Sequence, residues 1–149
     1  MARIRITKEF KFEMAHALWG YDGPCKNIHG HSYYLLVTII GEPLNEPSSP
    51  KNGMVIDYSV LKKIVKKNIT DKLDHALVLN GNSPHAELEK YKTMFDNIIL
   101  LPYQPTCENM IADFAERIKS LLPEEVKLHH LRLSETVTSF AEWHAEDNQ

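Results

Sequence analysis

The sequence predicts an α+β protein: a four-stranded antiparallel sheet with two helices on one face, in the order ββααββ. Three observations carry this. Two strand-like stretches, the first with apolar residues at period two, lie near the N-terminus, two apolar stripes at helical spacing follow, and two more strand-like runs close the chain. Strands in pairs with helices grouped between them indicate an α+β domain, not a doubly wound one. At 149 residues the chain suits a single domain, 1–149.

Residues 3–13 alternate, with Ile4, Ile6, Phe10 and Phe12 set among Arg3, Arg5, Lys11 and Glu13. Residues 17–30 hold Gly20, Gly23, Pro24, Asn27 and Gly30 and read as a loop. Residues 31–42, with Tyr33, Tyr34, Val37, Thr38, Ile39 and Ile40, read as the second strand. Pro43, Pro47, Pro50 and Gly53 mark a turn region. Asp57 can cap a helix over Tyr58–Ile69, with Leu61, Ile64 and Val65 on its apolar side. Lys62, Lys63, Lys66 and Lys67 form its solvated face. Residues 71–105 read as irregular, with a short helix near Pro84–Met94. Pro105-Thr106 opens the second long helix, with Met110, Ile111, Phe114, Ile118 and Leu121 as its stripe. Val126, Leu128, Leu131 and Leu133 mark the third strand and Val137–Trp143 the fourth. Four strands leave open sheet edges, so neighbouring subunits are expected to complete the sheet.

Composition excludes several classes. Lys+Arg 17 against Asp+Glu 20 gives a net charge of -3, without the basic excess of a nucleic-acid binder. No run approaches the roughly 20 apolar residues of a membrane span, and Met1–Arg5 leads into Lys8 without a signal-like apolar core. Two cysteines, Cys25 and Cys107, make no disulfide framework, so a reducing cytoplasm is the simplest location.

Histidine is the unusual residue: eight, with three between residues 16 and 31. In a strand His29 and His31 point to one face, and Gly30 between them leaves the backbone free for close approach. His16 ends the first strand region and can face them if the two strands pair. Three neutral imidazoles suit zinc with an open coordination position. Cys25, four residues before His29, fits three roles: a fourth ligand, a catalytic thiol, or an inert thiol. Cys107 at the helix start reads as a buried small residue. Asp74-His75 offers a carboxylate beside an imidazole, the usual device for setting a tautomer, or else a loop pair bonded to backbone. Glu135, at a strand end, can accept paired N–H bonds from a guanine-like edge, or stand in solvent. His85, His129, His130 and His144 show no partner pattern.

Six motifs occur in order: Phe-x-Phe-x-x-Ala-His at 10–16, Cys-x-x-x-His-Gly-His at 25–31, Gly-Met-Val-Ile-Asp at 53–57, Leu-Asp-His at 73–75, Pro-Thr-x-Glu-Asn at 105–109 and Glu-Thr at 135–136. Together they resemble the 6-pyruvoyltetrahydropterin synthase superfamily, most closely the bacterial 6-carboxytetrahydropterin synthases of queuosine precursor synthesis. The resemblance implies a tunnelling fold whose sheets close into a barrel in a trimer, usually stacked as a homohexamer, with active sites between subunits. It implies zinc on His16, His29 and His31, an acid/base thiol at Cys25, and a proton-transfer pair at Asp74 and His75 from a neighbouring subunit. It also implies a pterin anchor at Glu135, assisted by Thr106 and Glu108. The implied reaction converts 7,8-dihydroneopterin triphosphate and water to 6-carboxy-5,6,7,8-tetrahydropterin, acetaldehyde and triphosphate. The short Cys25–His29 spacer and Asp57 favour this product by family analogy. Two alternatives stand beside it: a 6-pyruvoyltetrahydropterin synthase, and a non-catalytic pterin- or zinc-binding module. Two departures from the family pattern are a long segment 80–104 and Cys107 where Ser or Thr is common.

Overall fold

The computed structural model describes residues 2–149. Met1, part of the stretch read as lacking a signal, lies outside them. The N-terminal alternation builds β1 (Ile4–His16), which pairs antiparallel with β2 (His29–Gly41) along its full length, from Ile4↔Gly41 to His16↔His29. Phe10, Phe12, Met14 and His16 on β1 and Tyr33, Leu35, Val37 and Ile39 on β2 are buried on one face. β1 therefore ends at His16, as expected, three residues beyond the stretch whose alternation marks it. β2 begins inside the predicted loop, because Gly30, read as loop punctuation, pairs with Ala15 in the ladder.

α1 (Tyr58–Val65) starts where expected, with Asp57 Oδ1 accepting from the Ser59 amide at 2.8 Å. It runs on through a π-helical turn, Lys66–Thr70, into the short α2 (Asp71–Leu73). Such a turn disturbs the regular helical hydrogen-bond ladder. Here Arg117 donates to the Asn68 carbonyl at 2.9 Å while holding Asp113 through two further N–H bonds, so the turn is tied to the facing helix.

The segment predicted as irregular is not. It contains β3 (Ala76–Asn80), the expected short helix as a 3₁₀ stretch at Pro84–Thr93, and β4 (Ile98–Leu101). β3 pairs parallel with the end of β1, Met14↔Ala76 to His16↔Val78, and β4 pairs parallel with β3. α3 (Cys107–Lys119) follows, capped by Thr106, whose hydroxyl accepts from the Asn109 amide at 3.2 Å. Leu121, placed in its stripe by sequence, lies beyond the helix and is exposed. β5 (Val126–Thr136) pairs with β2, and β6 (Ser139–His144) with β5, both antiparallel. Val137, expected in the fourth strand, is exposed in the turn before β6.

The sheet is thus six-stranded and mixed, in order β4-β3-β1-β2-β5-β6, not four-stranded and antiparallel. The α+β class and the two long helices on one face hold. Leu61 and Val65 of α1 and Met110, Ile111, Phe114 and Ile118 of α3 join the buried sheet face in one core. Phe12 stacks on its cross-strand partner Tyr33 at 5.0 Å, and Phe114 meets Phe12 edge-on at 6.4 Å. Each such side chain contributes roughly 1.5–3 kcal/mol by leaving water. This rigid face ends in the three histidines.

Candidate metal centre and its two clefts

The β1–β2 register makes the histidine cluster. His16 lies directly across from His29, and His31 lies across from Met14, one step along the same face. Ring centroids are 4.5 Å apart for His16–His29, 5.3 Å for His16–His31 and 4.9 Å for His29–His31. One donor atom from each lies within 4.8 Å of the others. Gly30 is not required for this approach, since a Cβ there would meet Met14 O at an ordinary 3.4 Å.

Backbone carbonyls fix two of the tautomers. His16 Nδ1 lies 2.8 Å from Pro105 O and His29 Nδ1 lies 2.7 Å from Asn27 O. A carbonyl only accepts, so both Nδ1 atoms carry hydrogen. In neutral rings the two Nε2 lone pairs then face each other across 3.0 Å. His31 Nε2 is buried and makes no hydrogen bond, although Glu135 Oε1 stands 3.4 Å away. Burial pushes His16 down to about 4, helped by His29 and His31 and opposed by the Pro105 carbonyl. Burial likewise lowers His31, against the pull of Glu135. Facing lone pairs without a proton between them repel, and a buried orphan nitrogen is costly. A cation accepting all three nitrogens answers both, so the residues fit a metal. The carbonyl bonds to His16 and His29 are the usual orienting contacts behind ligating imidazoles.

On the His16 side of the cluster lies a cleft of about 510 Å³, lined by His16, Cys25, Thr106, Glu108 and Glu135 among others. Cys25 is half-buried in a short 3₁₀ turn, Pro24–Lys26, and lies outside the mutually close donor set. Glu135, near the end of β5, has Oε1 3.5 Å from His16 Nε2 as well. Thr106 uses its hydroxyl oxygen as a helix cap, leaving its hydrogen for the cleft. Cys107 is buried and donates to Leu133 O at 3.2 Å. Its thiol is pushed up to about 11, first by burial, then by Glu135 and Glu108, against a hydrogen bond with the Ala141 backbone. Sequence reading missed Gln104, which grips both backbone groups of Trp19: it accepts from Trp19 N at 3.1 Å and donates to Trp19 O at 2.8 Å. That clamp holds the Cys25 loop against the start of α3.

Asp74 and His75 are not brought to this cleft. His75 lines a second cleft, about 770 Å³, with Glu13, Ala15, Gly30, Ser32 and the ligand candidate His31. His75 has φ 60, a left-handed conformation that side-chain-bearing residues other than Asn, Asp and His rarely adopt. That bend closes the pair: Asp74 Oδ2 lies 3.0 Å from His75 Nδ1. Asp74 Oδ1 accepts from the Glu13 amide at 2.8 Å, and the His75 amide donates back to Glu13 O at 2.6 Å. The Glu13 amide, then the His75 contact, hold the Asp74 carboxyl below the usual range despite some desolvation.

A three-imidazole cluster, with His16 buried and His29 and His31 half-buried, at the end of a mixed sheet covered by two long helices defines an α+β protein with a candidate metal centre open to two clefts. The chain belongs to the 6-pyruvoyl tetrahydropterin synthase family, whose model matches residues 5–146. It is 39% identical over 145 residues to a Haemophilus influenzae protein named 6-carboxy-5,6,7,8-tetrahydropterin synthase, covering 94% of this chain and 98% of that one. An Aquifex aeolicus protein of the same name is 32% identical, with 95% and 98% covered. Among solved structures, Caenorhabditis elegans 6-pyruvoyl tetrahydropterin synthase superposes with a TM-score of 0.69 at 25% identity, covering 97% of each chain. Among the described residues no helix is long and apolar enough to cross a membrane.

Proposed function

We propose that this chain is a lyase converting 7,8-dihydroneopterin triphosphate and water to 6-carboxy-5,6,7,8-tetrahydropterin, acetaldehyde and triphosphate. The observation that carries it is the convergence of three imidazole nitrogens, two with tautomers set for a cation, at the edge of a cleft that His16 lines with Glu135 and Cys25. The identity to relatives named for this activity, across nearly the whole chain, supports it. We read the chain as one domain, in the cytoplasm, serving queuosine precursor synthesis.

His16, His29 and His31 would hold zinc, which supplies Lewis acidity toward side-chain oxygens of the substrate. Glu135 accepts the pterin's amino and ring N–H groups and fixes the ring in the cleft, with Thr106 and Glu108 beside it. Cys25 takes and returns protons at the substrate side chain. Asp74 orients His75 through the Oδ2–Nδ1 contact, and His75 moves the second proton. His75 lines a different cleft from Cys25 within one chain. Their joint work therefore requires a neighbouring subunit, in a trimer or a hexamer.

The test is mass spectrometry of products after incubating the zinc-loaded chain with dihydroneopterin triphosphate. Carboxypterin with acetaldehyde is expected. A 6-pyruvoyl product without acetaldehyde would overturn the choice of reaction, and bound, unchanged substrate would overturn the enzyme.

A further inference from the structure

The unassigned histidines near the C-terminus are placed by a β-bulge. Thr38 faces His130 while Ile39 faces Leu128, so His129 is an extra residue in β5. In a regular strand, alternation would turn His130 to the same face as Leu128, into the core. With the bulge, Leu131 and Leu133 stay buried under the helices and His130 turns to the opposite face. His144 stands directly across from His130 on β6, with Glu142 on the same face two residues earlier.

The three side chains converge. The imidazoles of His130 and His144 stack at 4.4 Å, and their Nε2 atoms lie 2.9 and 3.8 Å from the same oxygen, Glu142 Oε1. One donor atom from each lies within 4.8 Å of the others. In a tetrahedral zinc site with Zn–N near 2.0–2.1 Å, neighbouring ligand atoms sit about 3.3 Å apart. The two observed separations straddle that value. Arg132, the residue across from Glu142, lies over the Phe140 ring at 3.7 Å, so the carboxylate is left to the imidazoles. His130 is 18% exposed, His144 36% and Glu142 41%, which leaves one side open for water. Two imidazoles and one carboxylate suit a borderline first-row divalent ion.

We propose that His130, Glu142 and His144 bind a second divalent transition-metal ion, on the face of the sheet opposite His16, His29 and His31. The two sites share no ligand, and each binds without the other.

The experiment counts zinc on the full-length protein, stripped with chelator, dialysed against zinc, and measured by mass spectrometry of the metal. The parent should carry two ions per chain. Glu142→Gln keeps the shape and an acceptor but loses the charge, and should carry one. His130→Asn with His144→Asn should also carry one, and so should His31→Ala. Glu142→Gln should keep the parent's turnover. Circular dichroism confirms that each variant is folded. One ion in the parent and in Glu142→Gln, with none in His31→Ala, overturns the second site and leaves the first. One ion in the parent and in His31→Ala, with none in Glu142→Gln, supports the second site and removes the first. Two ions retained by both Glu142→Gln and the double His variant overturn the proposal.

Discussion

His16, His29 and His31 project from the hydrogen-bonded ladder between β1 and β2, whereas Asp74 and His75 stand in the turn joining α2 to β3. His16 is buried, and it and His29 are locked by backbone carbonyls. His75 is 79% exposed and sits on a left-handed residue. The difference teaches where this chain is complete. The histidine cluster has its ligands, its orienting contacts and a cleft from one chain. The Asp74–His75 pair is oriented just as definitely, by two bonds to Glu13, but toward a cleft that holds neither Cys25 nor Glu135. A rigid acid/base pair whose cleft reaches the candidate ligand His31 but neither Cys25 nor Glu135 is the feature from which we infer a shared site.

The largest effect expected tests that sharing. Cys25→Ala or His75→Asn should each lower turnover by about 10²–10⁴-fold, the usual share of a positioned acid or base. Zinc content should not change. Co-assembling the two inactive variants should restore part of the activity, because some sites then draw an intact Cys25 from one chain and an intact His75 from the next. No recovery in mixed assemblies would place both residues in one chain's site and erase the contrast drawn above.

Metal removal probes the other side of the comparison. In a Glu142→Gln background, zinc at about a hundredfold above its Kd should raise the unfolding free energy by about 2.7 kcal/mol, since it binds only the folded ladder. His31→Ala should abolish that gain. Thermal unfolding with and without chelator reads it, and equal midpoints would mean that the cluster binds no ion. Next in size, Glu135→Ala should weaken binding of a pterin ligand by roughly 1.5–3 kcal/mol, the worth of a charge-assisted hydrogen bond. Zinc content is measured in the same samples. Glu135 Oε1 already lies within 3.5 Å of two imidazoles, so lost zinc would make it a ligand instead of an anchor.

The same contrast explains what could be read from sequence. His16, His29 and His31 were legible because their geometry follows from strand alternation and one pairing. The register from Tyr34↔Ser134, continued one step, sets Glu135 opposite Tyr33 on that same face. A pairing of β2 with β5 was not predicted, so its contact with the histidines was not foreseen. β3 and β4 were missed for a different reason. Ala76–Asn80 and Ile98–Leu101 are short apolar runs, and parallel strands lack the alternation that marks a half-exposed one. Missing β3 also left Asp74-His75 without a location, because the Met14↔Ala76 pairing is what sets the turn beside Glu13. The carbonyls of Asn27 and Pro105 carry no side-chain signature at all. The bulge at His129 left His130 and His144 unconnected in sequence.

The smallest effect concerns how firmly the Asp74 turn is held. The Glu13 amide is the main cause of the lowered Asp74 carboxyl, followed by His75. A carboxyl lowered on folding binds its proton less readily in the folded state than in the unfolded one. Its stabilisation is therefore complete above the unfolded value, about 3.9, and is lost as pH falls through the lower folded value. Asp74 is 45% exposed, so water screens the charge and the contribution is small. Asp74→Asn keeps an oxygen for the Glu13 amide and removes only the charge. Denaturant unfolding of parent and variant should show a small gap at about pH 5 that closes below about pH 4. Taking the difference cancels the histidines that do not touch Asp74, but not His75. No gap at any pH would show that the neutral hydrogen bond, which the Asn keeps, and not the charge, ties the turn to Glu13. The orientation of His75 would then rest on backbone geometry alone, and Asp74 would drop out of the proposed proton-transfer pair.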